Sequence, residues 1–211
     1  MSEERHARLS GMLAEAGLSR LQGEQSKKFI SYLSLILRWN ARTNLTAVRD
    51  EDGILARHFV ESIACAQALP VGIATLLDFG SGAGFPGIPI AIYRPEIAVT
   101  LAESQGKKAA FLQEAVRVLG LSCTVYSGRA EMLKLQFDCV TLRAVDRMER
   151  AIESAARLVA QGGWLALMTS GAELVALQAA AGPGYSWSNP DALPNAADRV
   201  LLMGKRISGP S

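Results

Sequence analysis

Apolar positions along the chain fall into two regimes that meet at Pro70. Before it they recur at helical spacing. Leu9, Met12, Leu13 and Ala16 make one short amphipathic helix, ended by Gly17. Phe29, Ile30, Leu33 and Leu37, widened by Tyr32 and Ile36, make a second. Residues 38–50 have mixed polarity and no clear period, and a third helical stretch, about 51–69, carries Arg57, His58, Glu61 and Ser62. After Pro70 short apolar runs alternate with helical periods. Residues 75–79, 97–102, 122–126, 137–142 and 164–169 read as strands. Residues 86–93, 107–119, 147–159 and 172–181 read as helices, the second ended by Gly120 and the third by Gly162 and Gly163, with a turn or short helix at 128–133. Residues 185–207 offer two closing strands broken by Pro190 and Pro194.

Strands alternating with helices predict an α/β fold, a mostly parallel sheet covered on both faces. Two closing strands with no helix between them predict an antiparallel arrangement at one edge, for seven strands in all. The expected organisation is a helical extension over residues 1–70, packed on an α/β domain over 71–211. A length of 211 residues and an apolar content of 49% suit one domain with an extension and a sizeable core.

Composition narrows the partners only a little. A net charge of +2 does not by itself announce a nucleic acid, so any basic surface must come from folding. Cys65, Cys123 and Cys139 are odd in number and lack metal-like spacing, which fits buried residues of a reducing cytosol. With only His6 and His58, a multi-histidine metal site is excluded, and no metal is expected. The charged start of the chain has no signal-peptide core, and the longest uncharged runs contain Pro or Gly pairs. A cytoplasmic protein with no membrane span is expected.

The chemistry begins at Leu76-Leu77-Asp78-Phe79-Gly80-Ser81-Gly82-Ala83-Gly84-Phe85-Pro86-Gly87-Ile88-Pro89. This reads as a buried strand, a glycine turn and the start of a helix, with Pro86 placed where a missing N–H costs nothing. Such a turn lets a ligand approach the backbone, and helix N–H groups favour a carboxylate or phosphate. A dinucleotide site would want its third glycine three residues after the second, where Phe85 stands. The glycines alternate instead, and Asp78 precedes them by two. That acidic-x-Gly-x-Gly-x-Gly pattern resembles motif I of the S-adenosylmethionine-dependent methyltransferases, with Asp78, Gly80, Ser81, Gly82, Gly84 and Phe85 as its candidate cofactor residues.

In an open α/β sheet the ligand lies beyond the carboxyl ends of the strands. Glu103 ends the second strand about 20 residues past the turn, where an acid meets ribose hydroxyls. The third strand leads to Gly128-Arg129-Ala130-Glu131, where a backbone amide or carboxylate can meet an adenine edge, or the acid can serve only a helix N-terminus. The fourth ends in Thr141-Leu142-Arg143-Ala144-Val145, the acceptor side. Arg143 can donate to a guanine edge or to a cofactor carboxylate, or pair with a neighbouring acid. No Asn-Pro-Pro-Tyr-like segment or Pro-Cys pair is there to act on an exocyclic amine or a pyrimidine ring.

Together these residues closely resemble one family, the bacterial small-subunit ribosomal RNA guanine-N7 methyltransferases, also called glucose-inhibited division protein B. The resemblance rests on Arg38-Trp39-Asn40, Asn44-Leu45-Thr46, Val48-Arg49-Asp50, Arg57-His58 with Ser62, the run from Gly80 to Pro89, Gly106-Lys107-Lys108 with Phe111-Leu112, and Arg143-Ala144. It implies a Rossmann-like class I methyltransferase fold, S-adenosylmethionine as methyl donor, and as acceptor a guanine of 16S ribosomal RNA (position 527, in the 530 loop). It implies cofactor contacts at Gly80, Phe85, Ala130, Glu131 and Arg143. Asn44, Arg49, Arg57, His58, Lys107 and Lys108 are the candidate RNA holders, the partner is 16S RNA or the small subunit, and a monomer is expected. The chain departs from the family in having Glu103 where aspartate is usual, and Thr169-Ser170-Gly171 in place of a lysine-containing segment.

Guanine N7 carries an in-plane lone pair and no proton at neutral pH, so its methylation needs no general base. That suits an acceptor strand without His or Cys at its end. Two other classes stay open at the level of sequence. One is a methyltransferase for a small molecule with the N-terminal helices as a lid. The other is a silent cofactor-binding protein used in assembly. A nicotinamide dehydrogenase is disfavoured by Phe85.

Overall fold

The computed structural model describes residues 2–145 and 148–207. Its centre is an eight-stranded sheet: β1 Thr75–Phe79, β2 Ala98–Ala102, β3 Thr124–Tyr126, β4 Phe137–Arg143, β5 Val159–Ser170, β6 Tyr185–Trp187, β7 Asp191–Ala192 and β8 Arg199–Arg206. The order across it is β3-β2-β1-β4-β5-β8-β6, with β7 also paired to β8. The first five strands are parallel, and β8 runs antiparallel to β5, β6 and β7. The expected antiparallel strand is therefore present, but one place in from the edge. Tyr185–Trp187 and Asp191–Ala192 form the edge in two pieces with Pro190 between them, since proline cannot donate to a ladder.

Period-2 alternation divides the core. Leu76 on β1, Leu101 on β2 and Cys139 on β4 face one side, with Leu201 and Met203 from β8. Leu77, Phe79, Val140, Leu142 and Leu202 face the other. The second face is covered by α7 Met148–Leu158 and α8 Leu174–Ala181. The first is covered by α5 Gly87–Tyr93 and α6 Gly106–Leu119, and over these lie the N-terminal helices α1 Ser2–Glu15 and α2 Gly23–Asn40. Phe29, Tyr32, Leu33 and Ile36 of α2 are buried in the same apolar cluster as the sheet residues.

Three local details depart from the expected pattern. The stretch 51–69 is not one regular helix: α3 Glu51–Gly53 opens into a π-helical turn, Ile54–Val60, before α4 Glu61–Ala68. The wider turn leaves no distinct mark on hydrophobic periodicity, and π segments cluster at functional sites. The helix expected from residue 147 starts, among the described residues, at Met148, Arg147 itself lying outside them. It ends at Leu158, and the chain is already extended from Val159. Phe137 pairs with Val159 and Cys139 with Trp164, so residues 160–163 bulge from the ladder, Gly162 taking φ +75°. Finally, β3 is shorter than expected, and residues 128–133 contain a 3-10 turn, Ala130–Met132. Among the described residues no helix is long and apolar enough to cross a membrane.

Candidate active site

Strand order reverses at β1: β2 and β3 lie to one side of it, β4 and β5 to the other. The carboxyl ends of β1 and β4 thus frame the switch-point crevice where such sheets bind ligands. The glycine turn leaves β1 there. Gly80, Gly82 and Gly84 have φ of +71°, +58° and +92°, a region that costs other residues about 1–2 kcal/mol each.

The turn is held from three directions. Below it, Asp78 is buried, accepting from Gly87 N at 3.1 Å and from Thr141 Oγ1 at 3.0 Å. Burial pushes its carboxyl up to about 6, against the bonds that favour the charged form. From β2, Ser81 N donates to Ala102 O at 2.9 Å, and Glu103 Oε2 accepts from Gly82 N at 2.9 Å. The other oxygen of Glu103 accepts from Gln105 N at 2.7 Å. From α2, the Tyr32 hydroxyl donates to Ala83 O.

A cleft of about 590 Å³ opens over the turn. Gly80, Ser81, Gly82, Phe85, Glu103, Ala130, Glu131 and Arg143 all line it, as do Arg57, His58 and Lys108. Asp78 and Gly84 do not reach its wall; they lie beneath, as supports of the loop. Asn44, Arg49 and Lys107 also lie off the wall, exposed, with Arg49 Nη2 donating to Asn44 Oδ1 at 2.8 Å. A second cavity of equal volume, around Lys134 and Arg157, holds no part of the glycine turn. Position, not size, distinguishes the two.

One end of the cleft carries the glycine turn and Glu103, the other Arg57 and Arg143. Its N-terminal wall is residues 45–48, most of which belong to the N-terminal segments that carry the family resemblance, though nothing in the sequence assigned them a place in a cleft. Asn40 holds that wall by accepting from the amides of Leu45 and Thr46, at 3.0 and 3.2 Å. Thr46 Oγ1 meets His58 Nε2 at 2.7 Å, and the imidazole stacks on Phe85 at 4.6 Å and 17°. His58 Nδ1 is buried and has no hydrogen-bond partner among the described residues. Burial, with the charges of Arg143, Arg57 and Arg199, pushes the imidazole down to about 3, so it is neutral at pH 7.

Arg143 projects from the end of β4 into an ion pair. Its Nη2 donates to Glu61 Oε2 at 3.0 Å and to Arg57 O at 2.8 Å. Arg199, at the start of β8, donates through Nε to the other oxygen of Glu61 at 3.0 Å. Glu61 is fully buried, its charge matched by two guanidinium groups. Sequence alone singled out neither Glu61 nor Arg199 as site residues. Their pairing spans 138 positions and leaves no local signal. Among the described residues no group of three His, Cys, Asp or Glu side chains could hold a metal.

The alternate-glycine turn, the acid after the second strand and the switch-point cleft define a Rossmann-like methyltransferase-type fold. In agreement, a methyltransferase structure from Pyrococcus furiosus superposes with a TM-score of 0.63 at 14% identity, covering 89% of this chain and 100% of that one. The family follows from sequence: residues 25–181 match the model of GidB, rRNA small subunit methyltransferase G, and the chain belongs to that family. It is 46% identical over 141 residues to the ribosomal RNA small subunit methyltransferase G of Roseiflexus sp. (strain RS-1), which covers 64% of this chain but only 60% of that protein. The protein of the same name from Neisseria meningitidis serogroup A is 39% identical over 167 residues, 78% of this chain and 80% of the relative.

Proposed function

We propose that this chain transfers the methyl group of S-adenosylmethionine to N7 of a guanine in 16S ribosomal RNA, the one at position 527 in the 530 loop. The observation that carries the reading is the meeting of the glycine turn, Glu103 and Arg143 around one switch-point cleft in a chain of this family. The residues fit the donor. Gly80 and Gly82 present backbone without a Cβ, Glu103 is fixed at the rim with lone pairs to spare for ribose hydroxyls, and Ala130 and Glu131 flank the adenine side. When bound, S-adenosylmethionine supplies an electrophilic methyl on a sulfonium.

The protein's remaining task is positioning, which can contribute about 7–11 kcal/mol to such a reaction. Glu61 and the Arg57 carbonyl fix the guanidinium of Arg143 at the cleft, where it orients guanine or cofactor. No base is needed for N7, and the cleft's histidine is neutral with Nε2 engaged by Thr46. Asn44, Arg49, Arg57, His58, Lys107 and Lys108 hold the RNA. In this reading residues 1–70 extend the methyltransferase domain of 71–211, and the protein is a cytoplasmic monomer. Mass mapping of methylguanosine in 16S RNA from cells with and without the protein tests it. Loss of N7-methylguanosine at a single position is expected, and an unchanged map would refute the assignment.

A further inference from the structure

Two guanidinium groups share one buried carboxylate beside the cleft, and the Arg57 side chain stands on the cleft wall next to them. Glu61 binds Arg143 through one oxygen and Arg199 through the other, so both arginines sit against the same buried group. The carbonyl of Arg57 accepts from Arg143, which ties the backbone of Arg57 to the pair, and the Arg57 charge is near enough to push the pKa of Arg143 down. The Arg57 side chain stands on the cleft wall and makes no hydrogen bond or ion pair with any described residue. His58 is neutral beside them and offsets none of the charge. Among the described residues of this cluster, one carboxylate stands against three guanidinium groups, an excess of two positive charges beside the cleft.

The donors are unevenly used. Arg199 spends Nε and Nη2 on a single oxygen of Glu61, and its Nη1, on a side chain 28% exposed, donates to no described residue. Arg143, only 9% exposed, has both terminal nitrogens engaged. The more exposed donors therefore belong to Arg57 and Arg199. Guanidinium is charged at every working pH, and its fork of donors matches the paired oxygens of a phosphate. Glu61 sets the direction of Arg199 before any ligand arrives, which lowers the ordering cost of binding.

We infer that Arg57 and Arg199 form a phosphodiester site for the strand that carries the acceptor base. The inference rests on the RNA reading above and adds to it where the backbone is gripped. One phosphate would be anchored beside the cleft while the base turns into it, and Glu61 acts as the positioning residue for Arg199.

Binding of a 530-loop RNA fragment across about 50–200 mM salt tests this. Each phosphate contact to single-stranded RNA contributes a logarithmic slope of roughly 0.7. Arg57→Gln and Arg199→Gln are each expected to lower the slope by about that amount while S-adenosylhomocysteine binds as before. A steep wild-type slope that both variants keep would overturn the phosphate site, and with it Arg57 as an RNA holder, while RNA would remain the substrate class. A flat wild-type slope would overturn both. Arg57→Gln removes an exposed group that pairs with no described side chain, so it still tests the site if Arg199→Gln fails to fold.

Discussion

The hydroxyl of Tyr32 donates to the carbonyl of Ala83, joining α2 to the glycine turn across 51 residues of sequence. Tyr32 is fully buried and stacks against Phe59 at 5.4 Å and Phe111 at 6.4 Å, with Phe85 tilted toward it at 5.5 Å. The N-terminal helices thus shape the candidate cofactor loop directly. Tyr32→Phe keeps the rings but leaves a buried carbonyl unpaired, at a cost of about 1–3 kcal/mol. Thermal melts should fall accordingly. If about 1 kcal/mol of that cost is felt at the loop, calorimetry should find S-adenosylmethionine bound about fivefold more weakly. Unchanged affinity would mean that the loop keeps its shape without this bond.

The glycines of the turn should respond differently. A Cβ on Gly84 would lie 2.6 Å from Ile88 Cδ1 and 2.7 Å from the Tyr32 hydroxyl, in addition to its φ of +92°. One on Gly82 would meet only Gly80 O, at 3.9 Å. Gly84→Ala should therefore lose more stability than Gly82→Ala, whose cost is the ~1–2 kcal/mol backbone penalty alone. Because Gly82 faces the cleft, its variant should lose more ligand-induced stabilisation. Melting with and without S-adenosylmethionine separates the two, and equal losses in both measures would contradict the geometry.

Glu61→Gln would leave two guanidinium groups around a neutral amide. Breaking a buried pair from one side costs about 3–5 kcal/mol. Adding Arg199→Met removes one of the stranded cations, so the double variant should regain part of the loss. Urea denaturation of the wild type, both singles and the double measures that coupling. Strict additivity would show that Glu61 and Arg199 contribute independently.

Histidine 58 and Asp78 should pull the acid stability of the protein in opposite directions. The imidazole is held near 3 in the fold and titrates near 6.5 when unfolded, so the unfolded state binds the extra proton between those values. Its contribution is present above about 6.5 and is lost on acidification, at up to ~1.4 kcal/mol per pH unit. Asp78, raised from 3.8 to about 6, does the reverse: its contribution is present below 3.8 and is lost as pH rises through 6. His58→Gln removes the first trend and exposes the second. Relative to wild type, the variant should gain stability from pH 6 down to 4 in urea midpoints. Parallel profiles would place His58 in an ordinary environment.

Much of this arrangement could be read from residues in order. The period of apolar positions marks α2 and β1, alternate glycines mark a turn with positive φ, and Glu103 falls at the ribose distance. These are local properties, set by dihedral freedom, spacing and charge. What eluded the sequence is long-range. The apolar run Val200-Leu201-Leu202-Met203 announces a strand but not that it lies between β5 and β6, because alternation carries no information about neighbours. The buried charge of Glu61 is legible only once Arg143 and Arg199 arrive from two strands. Asp78 reads as a ligand residue from its place in the motif, whereas its carboxylate is spent on Gly87 and Thr141. The amphipathic pattern of residues 51–69 likewise hides the π-helical turn that brings Arg57 and His58 to the cleft.

The inner position of β8 has a consequence for biosynthesis. Arg199–Arg206 is translated after every strand it pairs with, so β5 has an open edge, and β6 and β7 have no partner, until the ribosome has passed this segment. The same segment delivers Arg199 to Glu61. A nascent chain stalled before residue 199 could already hold the glycine turn on β1, β2 and β4, yet its sheet would be unfinished and Glu61 would have only one cation. The ion pair beside the cleft is thus among the last parts of the fold to be completed in synthesis.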